Sequence, residues 1–195
     1  MGIGVFGGTF DPPHIGHLVA SLRCIEALGL SKVIFVPCFV PPHKLKYPIS
    51  PYDVRVKMVK LAIQGVDEFE VSRIEEKLPT PSYTVNTLEF LRQRYNDLFL
   101  LVGTDQAKVF SEWHDYERLF DLAKVVVFPR GGTSWDEVPS WVKERVQYVD
   151  FPPLVVSATY IRCLAKEGKS LKFLVPPLVE AFVRENNLYK EGNYV

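Results

Sequence analysis

Six short apolar runs punctuate the chain: Ile3–Phe6, Lys32–Pro37, Phe69–Arg73, Leu98–Val102, Lys124–Phe128 and Val146–Val149. They are mostly apolar at consecutive positions rather than at every second one, as strands covered on both faces require. Between them lie stretches with helical spacing. Leu18, Leu22 and Ile25 recur at i, i+4, i+7, with Gly29 as a C-terminal stop, and Val54, Met58 and Leu61 repeat that spacing. Ser50, Pro51 and Asp53 would open this second helix as N-cap, first-position proline and first-turn acid. Val85, Leu88, Leu91 and Tyr95 mark a third helix, and Pro177 to Asn186 a last one. The alternation predicts an α/β fold, a doubly wound parallel sheet in a single domain over residues 1–195. In such sheets ligands sit beyond the C-terminal strand ends where the strand order reverses. The loops after Phe6 and after Val102 are therefore the expected site.

Charge and cysteine usage exclude several function classes. The 23 Lys and Arg residues balance 23 Asp and Glu, so the net charge is zero. A protein that grips nucleic acid through phosphate charge is strongly basic, so no nucleic-acid partner is expected. No apolar run approaches the ~20 residues of a membrane span, and the N-terminus lacks a signal-peptide pattern. A cytoplasmic protein with no membrane partner follows, and a homo-oligomer stays open. Cys24, Cys38 and Cys163 lie outside any Cys-x-x-Cys pattern and are expected as reduced, half-buried thiols rather than disulfides or zinc ligands.

Gly2-Ile-Gly4-Val-Phe-Gly7 matches the dinucleotide fingerprint by spacing, but its glycines lie at the chain start and within the first strand. The fingerprint needs a strand before its first glycine and a helix at its last, so a nicotinamide dehydrogenase is not expected. The informative stretch is Gly7-Gly8-Thr9-Phe10-Asp11-Pro12-Pro13-His14-Ile15-Gly16-His17. Glycines at a strand end let backbone N–H groups approach a ligand without a Cβ in the way. Asp11 and the two prolines turn the chain into a helix starting near His14, and His14 and His17, three apart, share its first-turn face. That turn carries unpaired N–H groups and the positive dipole end, an anion site that suits a polyphosphate. The same dipole lowers imidazole pKa values, so neutral donors and cations are both open. A His-x-x-His pair could also ligate a metal, but no third ligand lies at metal spacing.

This stretch resembles the His-x-Gly-His signature of the nucleotidyltransferase superfamily, in its Gly-Gly-Thr-Phe-Asp-Pro-x-His form. The resemblance implies a Rossmann-like fold and transfer of a nucleoside monophosphate from a triphosphate with release of pyrophosphate, with Mg²⁺ accompanying the ATP.

Later segments carry further site candidates. Pro41-Pro42-His43-Lys44 follows the second strand, and Lys44, Lys46, Arg55, Lys57 and Lys60 face a single acid, Asp53, over residues 40–60. This predicts a local electropositive wall with Lys44 on a phosphate. Ser82, Tyr83 and Thr84 open the third helix, where Ser82 or Thr84 would cap it and the helix start could hold a carboxylate or phosphate. Gly103 and Asp105 end the fourth strand, where Asp105 could accept from a ribose. Trp113 either stacks a heteroaromatic ring or packs in the core. Ser157, Thr159 and Arg162 surround a helix start and read as a second anion clamp facing the first.

In chain order these segments look like the nicotinate-nucleotide adenylyltransferase family of bacteria, and the tail Pro176-Pro177…Leu188-Tyr189 fits as well. The resemblance implies that Gly7, Gly8, Thr9, Phe10, His14, His17, Gly103, Asp105, Ser157, Thr159 and Arg162 bind ATP. It implies that Lys44, Ser82, Tyr83, Thr84, Asp105, Trp113 and Arg130 receive nicotinate mononucleotide, and that His14, His17, Lys44 and Arg162 are catalytic. Three positions depart from the family pattern. Ala158 stands for a second serine, Asn86 for a common aspartate, and Pro129-Arg130-Gly131 for the usual Arg-Pro-Gly. The alternatives are a sister transferase acting on nicotinamide mononucleotide or phosphopantetheine, and a non-catalytic nucleotide-binding module.

Overall fold

Side chains along each central strand alternate between two apolar cores, which is why the runs are apolar throughout. Phe6, Val33, Phe35, Leu101, Val126 and Phe128 enter one core, while Val5, Ile34, Val36, Leu100, Val102, Val125 and Val127 enter the other. The computed structural model describes residues 2–42 and 48–190. Its strands are β1 (Ile3–Gly8), β2 (Lys32–Pro37), β3 (Phe69–Val71), β4 (Leu98–Gly103), β5 (Lys124–Phe128) and β6 (Gln147–Tyr148). They form one parallel sheet in the order β3-β2-β1-β4-β5-β6. The helices are α1 (Ile15–Leu28), α2 (Tyr52–Ala62), α3 (Thr84–Arg92), α4 (Thr104–Ala107), α5 (Tyr116–Leu122), α6 (Ser140–Lys143), α7 (Ala158–Lys166) and α8 (Pro177–Glu185). Side chains of α1, α2, α7 and α8 line the first core, and those of α3, α5 and α6 line the second.

The chain steps outward from β1 to β2 and β3, then returns to the other side of β1 and steps outward again through β4, β5 and β6. The loops leaving β1 and β4 therefore part at the point where the strand order reverses, the place where a sheet of this topology leaves a crevice. Gly29 ends α1 with φ 62°, the left-handed C-cap expected of it. The glycines of the false fingerprint serve packing instead. A Cβ on Gly2 would lie 2.4 Å from the Phe99 ring and one on Gly4 2.8 Å from Val33 Cγ2.

Some expectations are corrected. Ser50 does not cap α2, because its N–H donates to Asp11 Oδ2 and its carbonyl accepts from Arg55 Nε; Pro51 holds the cap position. Arg55 is not part of an electropositive wall. It is 1% exposed and donates inward to Ser50 and to the Thr9 carbonyl. The edge strands β3 and β6 are shorter than their apolar runs, and α3 stops at Arg92, short of Tyr95. The three thiols are all free but unalike, with Cys24 buried, Cys38 half-buried and Cys163 exposed. No helix among the described residues is long and apolar enough to cross a membrane.

Candidate active site

His14 occupies the N-cap of α1, and His17 stacks on it with ring centroids 3.7 Å apart. Both are buried, at 1% and 4% exposure. Phe10, itself buried, presses edge-on against His17 at 5.0 Å, so its ring is a buttress in the core rather than a surface for ligand. Gly16 makes room for the pair: a Cβ there would sit 3.0 Å from His14 Nδ1. Of the first-turn amides, that of Ile15 donates to the Leu174 carbonyl and that of His17 to the carbonyl of His14. The free helix terminus expected from sequence is thus partly occupied from within the chain.

The His17 ring defines the chemistry. Its Nδ1 lies 3.1 Å from the backbone N of His14, and its Nε2 faces Arg130 Nη2 at 3.2 Å. A neutral imidazole has one donor and one acceptor nitrogen, and both partners here are donors. Whichever nitrogen holds the proton, one contact sets donor against donor. The buried backbone amide cannot turn away and the guanidinium can, so Nδ1 accepts and Nε2–H and Arg130 point at common ground. An anionic oxygen between them resolves the conflict. Burial, with Arg130 nearby, pushes His14 down to about 3, and burial, His14 and Arg130 hold His17 well below its ordinary value. Both rings are neutral at pH 7, and both His14 ring nitrogens are buried without a partner among the described residues.

Arg130, expected on the pyridine nucleotide, lies against His17. Thr104, which sequence reasoning missed, fixes it there. Thr104 is fully buried at the end of β4; its Oγ1 accepts from the Arg130 N–H and lies 2.9 Å from the carbonyls of Arg130 and Thr133. A Cβ on Gly103 would come within 2.5 Å of Asp105 Oδ1 and 2.7 Å of Arg130 Cδ, so both side chains pass over this glycine. Asp105 Oδ1 is buried without a partner among the described residues.

The second clamp meets the first. Arg162 Nη1 donates to the Asp11 carbonyl at 2.7 Å and its Nη2 to Thr159 Oγ1 at 3.1 Å. The Leu154 carbonyl lies within 3.8 Å of where a Gly16 Cβ would be. Residues 154–162 and 11–17 therefore converge on one edge of the sheet. Yet these groups are engaged within the chain. Arg162 is 8% exposed, not a surface arginine, and Ser157 Oγ caps α7 by accepting from Tyr160 N.

Across the crevice, neither Ser82 nor Thr84 caps α3; Tyr83 holds that position without a side-chain bond. Ser82 instead pairs with Val40, its N–H donating to the Val40 carbonyl and its Oγ accepting from the Val40 N–H. Tyr83 stacks on His114 at 4.0 Å, and half-buried Trp113 lies over Phe110 at 5.2 Å. His114 was not singled out from the sequence, where only its place after Trp113 signals it. Gly7, next to last in β1, faces open space, with nothing within 4 Å of a Cβ position, while Gly8 at the strand end is closed off by the Phe10 ring. Lys44 lies outside the described residues.

The model of the cytidylyltransferase-like family matches residues 5–164, which sets the class of protein. A chain of Thermomicrobium roseum named "Probable nicotinate-nucleotide adenylyltransferase" is 38% identical over 196 residues, covering 96% of this chain and 91% of that one. A Thermus thermophilus chain of the same name is 38% identical, covering 97% and 100%. Among solved structures, Plasmodium falciparum nicotinic acid mononucleotide adenylyltransferase complexed with NaAD superposes with a TM-score of 0.78, covering 96% of this chain and 97% of that one. At 16% identity that likeness speaks to fold alone. The chain belongs to the nicotinate-nucleotide adenylyltransferase family.

Proposed function

We infer that the protein joins ATP and nicotinate mononucleotide to give nicotinate adenine dinucleotide and pyrophosphate. A phosphate oxygen of the mononucleotide attacks the α-phosphorus of ATP; that P–O bond forms as the bond to the β-phosphate bridging oxygen breaks. The nucleophile is already an anion at pH 7, so no general base or covalent intermediate is needed. What the protein must supply is orientation and stabilisation of charge on the leaving pyrophosphate. Holding two reactants in one crevice lowers a barrier by about 7–11 kcal/mol. Each well-aimed donor to developing charge adds about 3–4 kcal/mol.

The observation that carries this reading is the approach of His17 Nε2 to Arg130 Nη2 at 3.2 Å beside the β1/β4 opening, with His17 Nδ1 already facing the His14 N–H. Two neutral imidazoles and a guanidinium there would bind the triphosphate without the strong charge that holds a product too tightly. Ser82, Tyr83, Thr84, Trp113 and His114 would receive the nicotinate ring, and Asp105 a ribose hydroxyl. Lys44 would reach a phosphate. A divalent cation accompanies ATP in this family, and we take it to be Mg²⁺. Among the described residues no three His, Cys, Asp or Glu side chains gather as a cage. The ion would enter on the triphosphate, with phosphate and water oxygens as its ligands. When bound, it would neutralise charge as it builds on the leaving group. Substrates and products are all soluble anions, and we place the reaction in the cytoplasm.

Pyrophosphate release from ATP, measured with each acceptor in turn, tests the assignment. Release is expected with nicotinate mononucleotide. Faster release with nicotinamide mononucleotide or phosphopantetheine would reassign the substrate, and none with any acceptor would leave a nucleotide-binding module.

A further inference from the structure

The loop carrying the histidines is fastened by a residue from the far end of the chain. Asp11 is 2% exposed, and its two carboxylate oxygens have separate donors: Ser50 N reaches Oδ2 at 2.9 Å, and Tyr189 Oη reaches Oδ1 at 2.7 Å. Tyr189 lies beyond α8, and the chain returns it inward through two non-glycine residues in the left-handed region, Asn187 at φ 50° and Tyr189 itself at φ 69°. Its side chain is 1% exposed, and Met58 Sδ lies 3.7 Å from the same hydroxyl. Burial first, then the Asp11 carboxylate, raises the phenol well above its ordinary value, so at neutral pH it is a donor.

We propose that Tyr189 is a positioning residue for the histidine site, holding Asp11 so that the Thr9–His14 turn presents both imidazoles. The argument rests on succession along the chain. Asp11 is three residues from His14; its carbonyl is held by Arg162 and the Thr9 carbonyl by Arg55. The Tyr189 bond is the tie on the remaining carboxylate oxygen. Without it that buried oxygen loses the donor it has among the described residues, an unfavourable state that movement of the loop would relieve. The ring-recognition side has different attachments, Ser82 to Val40 and Trp113 to Phe110, and is not held by this bond.

The proposal builds on the adenylyltransferase reading, so its test includes a readout that needs no activity. Tyr189→Phe keeps the ring and removes the hydroxyl. Expected are a roughly tenfold fall in kcat, a change below twofold in KM for nicotinate mononucleotide, and shifted ring signals of His14 and His17, but not of His114, in spectra of histidine-labelled full-length protein. Met58→Leu, which removes only the sulfur contact, is expected to leave kcat and these signals unchanged. Unmoved His14 and His17 signals with wild-type kcat would overturn the proposal, as would both KM values and kcat shifting together with the signals of His14, His17 and His114 alike. If Tyr189→Phe does not fold, Asp11→Asn with the same spectra decides: shifted His14 and His17 signals support the tie, and unchanged ones overturn it. If the wild type shows no transferase activity with any acceptor, the function fails while the spectra still judge the tie.

Discussion

Around His14 and His17 the loop is pinned from distant parts of the chain, by Arg55 at Thr9, Arg162 at the Asp11 carbonyl, and Ser50 and Tyr189 at its carboxylate. The other wall of the crevice is held by ring stacking, half-buried Tyr83 on exposed His114 and half-buried Trp113 on buried Phe110. The contrast fits the roles proposed for the two walls. Stabilising charge that exists only in transit requires donors fixed in advance, since reorganising them during the reaction would cost what they provide. Recognising a flat ring by dispersion and stacking tolerates small adjustments. Substitutions on the first wall should therefore strike turnover, and those on the second, binding.

The sharpest test is His17→Ala. Removing the Nε2–H donor is expected to lower kcat by about 10²-fold or more with the fold retained. Turnover near wild type would remove the histidine from the mechanism and dissolve the contrast.

Acid should weaken the same wall next. The folded-state pKa of His14 is about 3 and that of His17 is also depressed, whereas in the unfolded chain both titrate near 6.5. Below pH 6.5 the unfolded state takes up protons that the folded state refuses, so stability falls as pH falls; above it these groups add no pH dependence. The loss is about 1 kcal/mol per histidine between pH 6.5 and 5.5. Urea unfolding across that interval would read it, and His14→Phe should halve it. An unaltered slope in that variant would mean that the ring is not held neutral.

On the second wall, Trp113→Ala is expected to raise KM for nicotinate mononucleotide about tenfold, ~1.4 kcal/mol, with KM for ATP unmoved. An unchanged KM with a lower Tm would assign the indole to packing on Phe110 alone.

The same contrast governs what was legible in the sequence. Continuous apolar runs announced buried parallel strands because period and covering are properties of local sequence, and β2 and β5 fall on the predicted residues. The histidine pair was legible because a cap and a first turn span four residues. Long-range ties were not. Nothing local says that Ser50 points to Asp11 rather than capping α2, that Arg55 turns inward, or that Arg130 approaches His17 across 113 positions. Thr104 and His114 carry no local signal, because a hydroxyl after a strand and a histidine after a tryptophan acquire meaning only from what faces them.

Ser157 offers the smallest effect and bears on the boundary between the two kinds of wall. Its sequence context suggested a phosphate contact, but its Oγ accepts from Tyr160 N at 3.2 Å as the cap of α7. A hydroxyl can cap and still donate its own proton outward, so the two roles are separable only by measurement. Ser157→Ala should cost about 1 kcal/mol of stability through the lost cap. For a chain of this size that is a fall of about 2–4 °C in Tm. If the hydroxyl serves only the helix, KM for ATP stays within twofold, which is the expected outcome given that buried Arg162 beside it is bonded to Asp11 and Thr159. A rise in KM for ATP beyond fivefold would instead make Ser157 part of the triphosphate site, and would mean that α7 contributes to the charged wall directly rather than through the Arg162 bond to Asp11.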